Sequence, residues 1–258
     1  MKYFFDIGII KALFLRELKT RFGKNKLGYF WIIGEPILHI LIMLLIFVYV
    51  RDRMLPQVPF SLFLISGFVP YFMFKNIVMK LIDGINANKS LFAYKPVRPI
   101  HVFIARTILE VLIYSLVFVA FMFGFGWFLS YEIFPQNFLE VVISFCILIV
   151  FGFSLGLCLT ILVHSIETAK IIIGIFFTAL YFVSGVMYPL WIIPSEYLKF
   201  LLINPLVHIL ETFRENYFHD YPIIDGINIF YPISFSIVFL YVGLWFYYHR
   251  RSALGASV

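Results

Sequence analysis

The sequence predicts an all-α integral membrane protein with six transmembrane helices. An N-terminal amphipathic interfacial helix and a re-entrant helical hairpin between helices 5 and 6 complete the expected fold. Three observations predict it. The 258 residues are 62% hydrophobic and 13% charged, against roughly 45–50% apolar and about 25% charged in soluble domains. Thirty-three Phe and 16 Tyr are too many for one water-facing core in a chain of this length. Apolar runs near the roughly 20 residues that cross a hydrocarbon layer recur six times, and mean hydropathy is +0.97. Together these exclude a soluble enzyme, a disordered chain and a disulfide scaffold.

The expected crossings are 29–50, 60–79, 108–129, 138–163, 171–187 and 229–248, within a transmembrane domain 29–258. The third is extended at its start by a helix carrying Arg106 and Glu110. An even number of crossings puts both termini on one side. Basic residues choose that side: Lys and Arg crowd the first 26 positions, the connection around 75–106, Lys170, and Arg250 with Arg251. The opposite face keeps only Arg51, Arg53, Lys199 and Arg214. The positive-inside rule therefore places both termini in the cytoplasm. The net charge of +6 reports membrane orientation here, not a nucleic-acid partner. No cleavable signal is expected, because the first 28 residues are rich in charge.

Two stretches are too polar or too short to cross. Residues 1–28 read as a cytoplasmic amphipathic helix with Ile7, Ile10, Phe14 and Leu18 on one side and Arg16, Lys19 and Thr20 opposite. Residues 188–215, punctuated by Pro189, Pro194 and Pro205, read as a hairpin on the outer side.

Ionisable groups at membrane depth are costly and each one needs a reason. Glu35 and His39 share a helical face around Pro36. They form either a polar step in a passage or a neutralised pair at the proline break. Arg106 and Glu110, one turn apart, read as a structural ion pair. Gly152 and Gly156 suit a close helix contact. His208, Glu211 and Glu215 recur on one face and read as an exterior polar surface. Cys146 and Cys158 read as packing residues. The Asn88-Lys89-Ser90 sequon falls on the cytoplasmic side. There is no metal cluster, no phosphate-binding loop, no nucleophile elbow and no dinucleotide fingerprint, so no catalytic residue is assigned. Aromatic residues at depth could provide a sliding surface for sugar rings: Tyr29, Phe30 and Trp31, then Phe68, Tyr71 and Phe72, then Phe176, Phe177, Tyr181 and Phe182. Packing explains any one of them as well.

Several motifs occur in a telling order. Phe14 to Lys24 reads FLRELKTRFGK, followed by LGYFW at 27–31 and Glu35-Pro36. NKSLFAYKPVRPI follows at 88–100, then MYPL at 187–190 and NPLVH at 204–208. In this order and spacing the chain resembles the ABC-2 type permeases, the type V exporter-like fold, and most closely the KpsM-type capsular polysaccharide exporters of Gram-negative bacteria.

The resemblance implies an inner-membrane, multi-pass permease that moves lipid-linked acidic polysaccharide and works as a homodimer. It implies two copies of a separate KpsT-type ATPase, which would bind ATP and Mg, leaving no cofactor in this chain. It also implies a periplasmic KpsE-type polysaccharide co-polymerase and an outer-membrane channel as partners. Coupling helices at about 83–95 and 164–170 would carry Asp83, Asn86, Asn88, Lys89, Phe92, Tyr94, Ser165 and Glu167. The N-terminal helix would be a gate. Arg16, Arg21, Lys24, Lys26 and Arg98 would hold the acidic end of the lipid-linked cargo. O-antigen, teichoic acid or a drug are alternative cargoes. A membrane-embedded glycosyl- or phosphotransferase would need converging acidic or metal-binding residues, and a proton-coupled transporter would need internal repeats.

Overall fold

The computed structural model describes residues 6–22, 27–50, 58–93, 96–166 and 168–255, apart from the side chains of 22, 27–33, 35, 47–50, 93 and 251–255. These residues form α1 (Ile7–Phe22), α2 (Leu27–Val50), α3 (Phe60–Ile82), α4 (Pro99–Leu129), α5 (Phe138–Ser165), α6 (Ala169–Val183), α7 (Ser195–Leu201), α8 (Pro205–Tyr217) and α9 (Phe230–Gly255). Short 3₁₀ helices fill Asn86–Ala93 and Leu190–Ile192. Among the described residues there is no strand, as expected where lipid offers no partner to an open backbone edge.

Among the described residues four helices are long and apolar enough to cross a membrane: α3, α4, α5 and the Phe230–Arg250 part of α9. The remaining apolar helices are shorter or only partly described. Helix α6 has 15 residues. It stops at Val183 because the Ser184 hydroxyl turns back to the Leu180 carbonyl and Gly185 takes a positive φ of 65°, a backbone state that glycine adopts without strain.

Helix α3 is the centre of the bundle, with α4 and α5 packed against it and α9 against α5. Its residues from Leu62 to Val69 are almost entirely enclosed. Gly152 and Gly156 on α5 allow the close approach, since a Cβ on Gly156 would press on the Val78 backbone and the Leu81 side chain. Outward faces stay apolar: Phe123, Trp127 and Phe128 on α4, Ile171 and Ile172 on α6 and Tyr241 on α9 are exposed. Such faces are stable only against lipid or another protein.

The hairpin region overturns the exterior polar surface expected for α8. His208 and Glu211 are buried, and only Glu215 is partly open. Helix α8 turns them inward because Arg214, fully enclosed, answers the carboxylate. Its guanidinium donates to Glu211 Oε1 at 2.7 Å, to the carbonyls of Gly185 and Val186 at 2.8 and 3.1 Å, and to Ser66 Oγ at 3.2 Å. The guanidinium also lies 4.0 Å from the centre of the Phe63 ring, and Tyr221 donates to Glu211 Oε2 at 2.8 Å. One arginine thus ties α8, α3 and the turn after α6. Gly67 leaves room for it: a Cβ there would collide with the Val186 carbonyl and Arg214. The His208 ring is pinned by two bonds, its Nε2 donating to the Leu202 carbonyl and its Nδ1 accepting from the Asn228 N–H.

Burial pushes the Glu211 carboxyl above its usual range, and Arg214 offsets part of that rise. The folded protein therefore holds this proton more tightly than the unfolded chain. The carboxylate costs stability above the raised value, and the cost is relieved as pH falls toward the ordinary carboxylate range. Glu211→Gln should flatten that dependence in thermal unfolding followed across pH. Arg214→Ala should cost about 3–5 kcal/mol by stranding a buried carboxylate. Removing both charges with E211L/R214M should recover most of the loss, read as the melting temperature of the purified chain.

Candidate functional site

Helix α1 begins at Asp6, whose Oδ1 accepts from the N–H groups of Gly8 and Ile9 at 2.9 and 3.3 Å, a side-chain cap of free helix donors. It packs against α4. The inward face centres on Leu13 and Glu17, while Ile7 is 80% exposed. Ile10, Phe14 and Leu18 of the expected stripe pack against the core, and the docked face is a partial rotation of that stripe toward Leu13 and Glu17. The rotation follows from Glu17, which is 5% exposed and meets Arg106 Nε and Nη2 at 3.1 Å each. Arg106 Nη1 also donates to the Lys80 carbonyl at 2.8 Å. Arg21 donates to Glu110. Arg106 and Glu110 accordingly pair with α1 and not with each other, which corrects the ion pair expected within α4. The reason is geometric: α1 brings an opposite charge to each of them.

The same joint reaches the connection after α3. Arg16 donates to Asn88 Oδ1, and Asn88 Nδ2 donates to the Gly84 carbonyl at 2.9 Å. Asn88 is 1% exposed and Phe92 is buried. Both therefore anchor the 3₁₀ connection to the bundle and offer no surface to a docking partner. Asn86 and Lys89 face outward. Asp83 and Lys170 form an open ion pair at 2.5 Å, joining the two connections that the sequence marks for coupling. Ser165 accepts from Arg250 at the end of α9. Tyr94 and Glu167 lie outside the described residues.

Below α1 a cleft of about 440 Å³ opens between α1, α2, α3 and α4. Arg21 and Glu110 form one wall, Lys75, Asn76 and Lys80 another, and His39, Phe72 and Tyr114 the remainder. Asn76 Nδ2 donates to the Tyr114 hydroxyl at 2.7 Å. His39 meets Phe72 edge-on, with ring centres 4.9 Å apart. The side chain of Glu35, its expected partner, lies outside the described residues.

Of the five basic residues expected to hold an acidic group, Arg16 and Arg21 are already engaged by protein partners. Arg98 is half-buried at the N-cap of α4, outside the cleft lining. Lys24 and Lys26 lie outside the described residues. The aromatic residues also divide. Phe68, Tyr71 and Phe177 are enclosed by the chain itself, Tyr71 donating to the Phe177 carbonyl, and they present no surface to a cargo. Phe72 and Tyr181 are half-open and stacked, with centres 5.8 Å apart. Phe176 and Phe182 are exposed. The side chains of Tyr29, Phe30 and Trp31 lie outside the described residues.

Glu17, Lys75 and Lys80 were not singled out from sequence. Glu17 carried a usable signal, since it follows Leu13 at i+4 on a helix otherwise charged with lysine and arginine. Among the described residues no group of His, Cys, Asp and Glu could hold a metal ion. The described site holds charged groups in place through paired side chains.

A family model for ABC-2 type transporters matches residues 9–218. The chain is 40% identical over 248 residues to the polysialic acid transport protein KpsM of Escherichia coli, covering 96% of this chain and 95% of that one. It is 27% identical over 239 residues to the capsule polysaccharide export inner-membrane protein CtrC of Neisseria meningitidis, covering 92% and 88%. It is 24% identical over 257 residues to the O-antigen export system permease protein RfbA of Myxococcus xanthus, covering 97% and 95%. With a family match across most of its length and relatives aligned almost end to end, the chain belongs to the ABC-2 type transporter family.

Proposed function

We propose that this chain is the membrane permease subunit of an ATP-binding cassette exporter that moves lipid-linked capsular polysaccharide across a bacterial inner membrane. The observation that carries the mechanism is the polar joint: Glu17 with Arg106, Arg21 with Glu110, and Arg16 with Asn88. A helix lying at the membrane surface is thereby fixed both to α4 and to the connection after α3. Motion delivered to that connection is transmitted to α1 without passing through flexible chain.

In this reading the chain crosses six times, with α2 and α6 supplying the crossings beyond the four long helices and residues 188–215 forming the outer hairpin. Both termini face the cytoplasm. Two copies pair, and two ATPase subunits of KpsT type dock on the connections 83–95 and 164–170. Asn86, Lys89 and the Asp83–Lys170 pair are among the exposed groups there. ATP and Mg belong to that partner, and this chain supplies no catalytic group. A KpsE-type co-polymerase and an outer-membrane channel continue the route. The polymer passes Phe72, Phe176, Tyr181 and Phe182, whose open faces give apolar contact to sugar rings without fixed hydrogen bonds, together with Tyr29, Phe30 and Trp31 at the start of α2. Arg98, Lys24 and Lys26 meet the acidic end of the cargo, and Arg16 and Arg21 hold the gate helix in register. The sequence of the O-antigen permease is less similar than that of the polysialic acid transporter, which favours a capsular cargo.

In a capsule-forming bacterium lacking its own permease, the chain and its ATPase subunit should restore surface polymer. Glu17→Ala leaves Arg106 buried without its carboxylate, a loss of about 3–5 kcal/mol at the joint. Surface polymer should fall at least about tenfold while membrane insertion persists. Arg16→Ala with Arg21→Ala should behave alike, measured by surface polymer against immunoblotted membrane protein. Full export in both variants would remove the gate from the mechanism.

A further inference from the structure

We propose that the cleft between α1, α2, α3 and α4 is a binding site for the anionic end, phosphate or carboxylate, of a membrane amphiphile, with Lys75 and Lys80 receiving the charge. The inference rests on the reading of the chain as a lipid-linked polymer permease and names a site for that lipid end on α3. Among the described side chains lining the cleft, three cations, Arg21, Lys75 and Lys80, face one carboxylate, Glu110. Glu110 is already taken by Arg21, so the lysine charge is left over. Neither lysine's ammonium group ion-pairs or hydrogen-bonds with a described residue; the Lys80 carbonyl alone is engaged, by Arg106.

Position separates this site from ordinary surface lysines. Lys80 lies in the last turn of α3 and can reach the headgroup layer along its own stem. Lys75 lies about 7.5 Å of helix rise further from that end, where a lone ammonium is costly unless an anion meets it. Arg21 uses one guanidinium nitrogen on Glu110, and a guanidinium carries five donors. Asn76 and Tyr114 add a polar floor. His39 and Phe72 form an aromatic edge where an acyl stem or sugar ring can lie. The volume falls in the range of small-ligand sites. A phosphate or carboxylate between the two ammonium groups offsets charge that no described side chain answers, while its apolar tail continues into lipid beside α2.

The test uses the full-length chain in phosphatidylcholine nanodiscs, comparing thermal unfolding alone, with added phosphatidylglycerol, and with inorganic phosphate. Phosphatidylglycerol should raise the melting temperature by several degrees in the wild type. The shift should vanish in K75Q/K80Q and persist in K75R/K80R. Lys80→Gln alone should lose part of it, which keeps the test decisive if the double variant fails to insert. Equal shifts in wild type and K75Q/K80Q would overturn the proposal. A lysine-dependent shift of the same size with inorganic phosphate would support the anion site and overturn its lipid source. A wild-type chain that shows the lysine-dependent lipid shift yet restores no surface polymer would keep the cleft and overturn the capsule reading instead.

Discussion

Charge buried in a low-dielectric bundle must be answered by charge, and this single constraint decides where the non-spanning helices sit. At one end Glu17 and Arg106 lock α1 onto α4. At the other, Glu211 and Arg214 lock α8 beneath the turn after α6. Both pairs are nearly inaccessible to water. Removing one member of such a pair is far more costly than never having had it. The pairs therefore act as registers: they admit one seating of each helix, where apolar contact alone would tolerate sliding and rotation. In a membrane this matters more than in water, since lipid solvates an apolar face as well as a neighbouring helix does.

The two knots differ in what surrounds them. Arg214 has all its partners inside the fold, two carbonyls, a hydroxyl, a carboxylate and an aromatic face, and it suits a part that stays fixed. The joint at α1 surrounds its buried Glu17–Arg106 pair with more open links. Arg16 retains about a third of its side-chain exposure, and the neighbouring Asp83–Lys170 pair stands in solvent. Open ion pairs contribute little stability and are screened by salt. They can be exchanged for contacts with a docking partner at small cost, which suits the end of the protein where an ATPase subunit is proposed to push.

The helical membrane class was legible from composition and run length, because hydropathy reads lipid exposure directly. The start of α4 at Pro99 follows from proline at the first helical position, and the contact of Gly152 and Gly156 with α3 from their spacing. The seating of α1 was legible only in part. Its apolar residues at 10, 14 and 18 do pack inward as their spacing suggests, but Ile7 does not, and the carboxylate at 17 shares the centre of the docked face with Leu13. Glu211 looked exterior because charge on an amphipathic helix usually is. Only the fold shows that Ser66 and the Gly185 and Val186 carbonyls, all distant in sequence, wait for Arg214. The enclosure of Phe68, Tyr71 and Phe177 was equally hidden, since an aromatic residue at depth reads the same whether it faces a passage or a neighbouring helix.

The account stands on the claim that this chain is a passage moved by a separate motor. Its most direct test is ATP hydrolysis by the ATPase subunit purified in complex with this chain, with and without an acidic lipid-linked polysaccharide. The account predicts that the complex forms and that the polymer stimulates hydrolysis. Transport of polymer by this chain in vesicles containing neither the ATPase subunit nor ATP would contradict it.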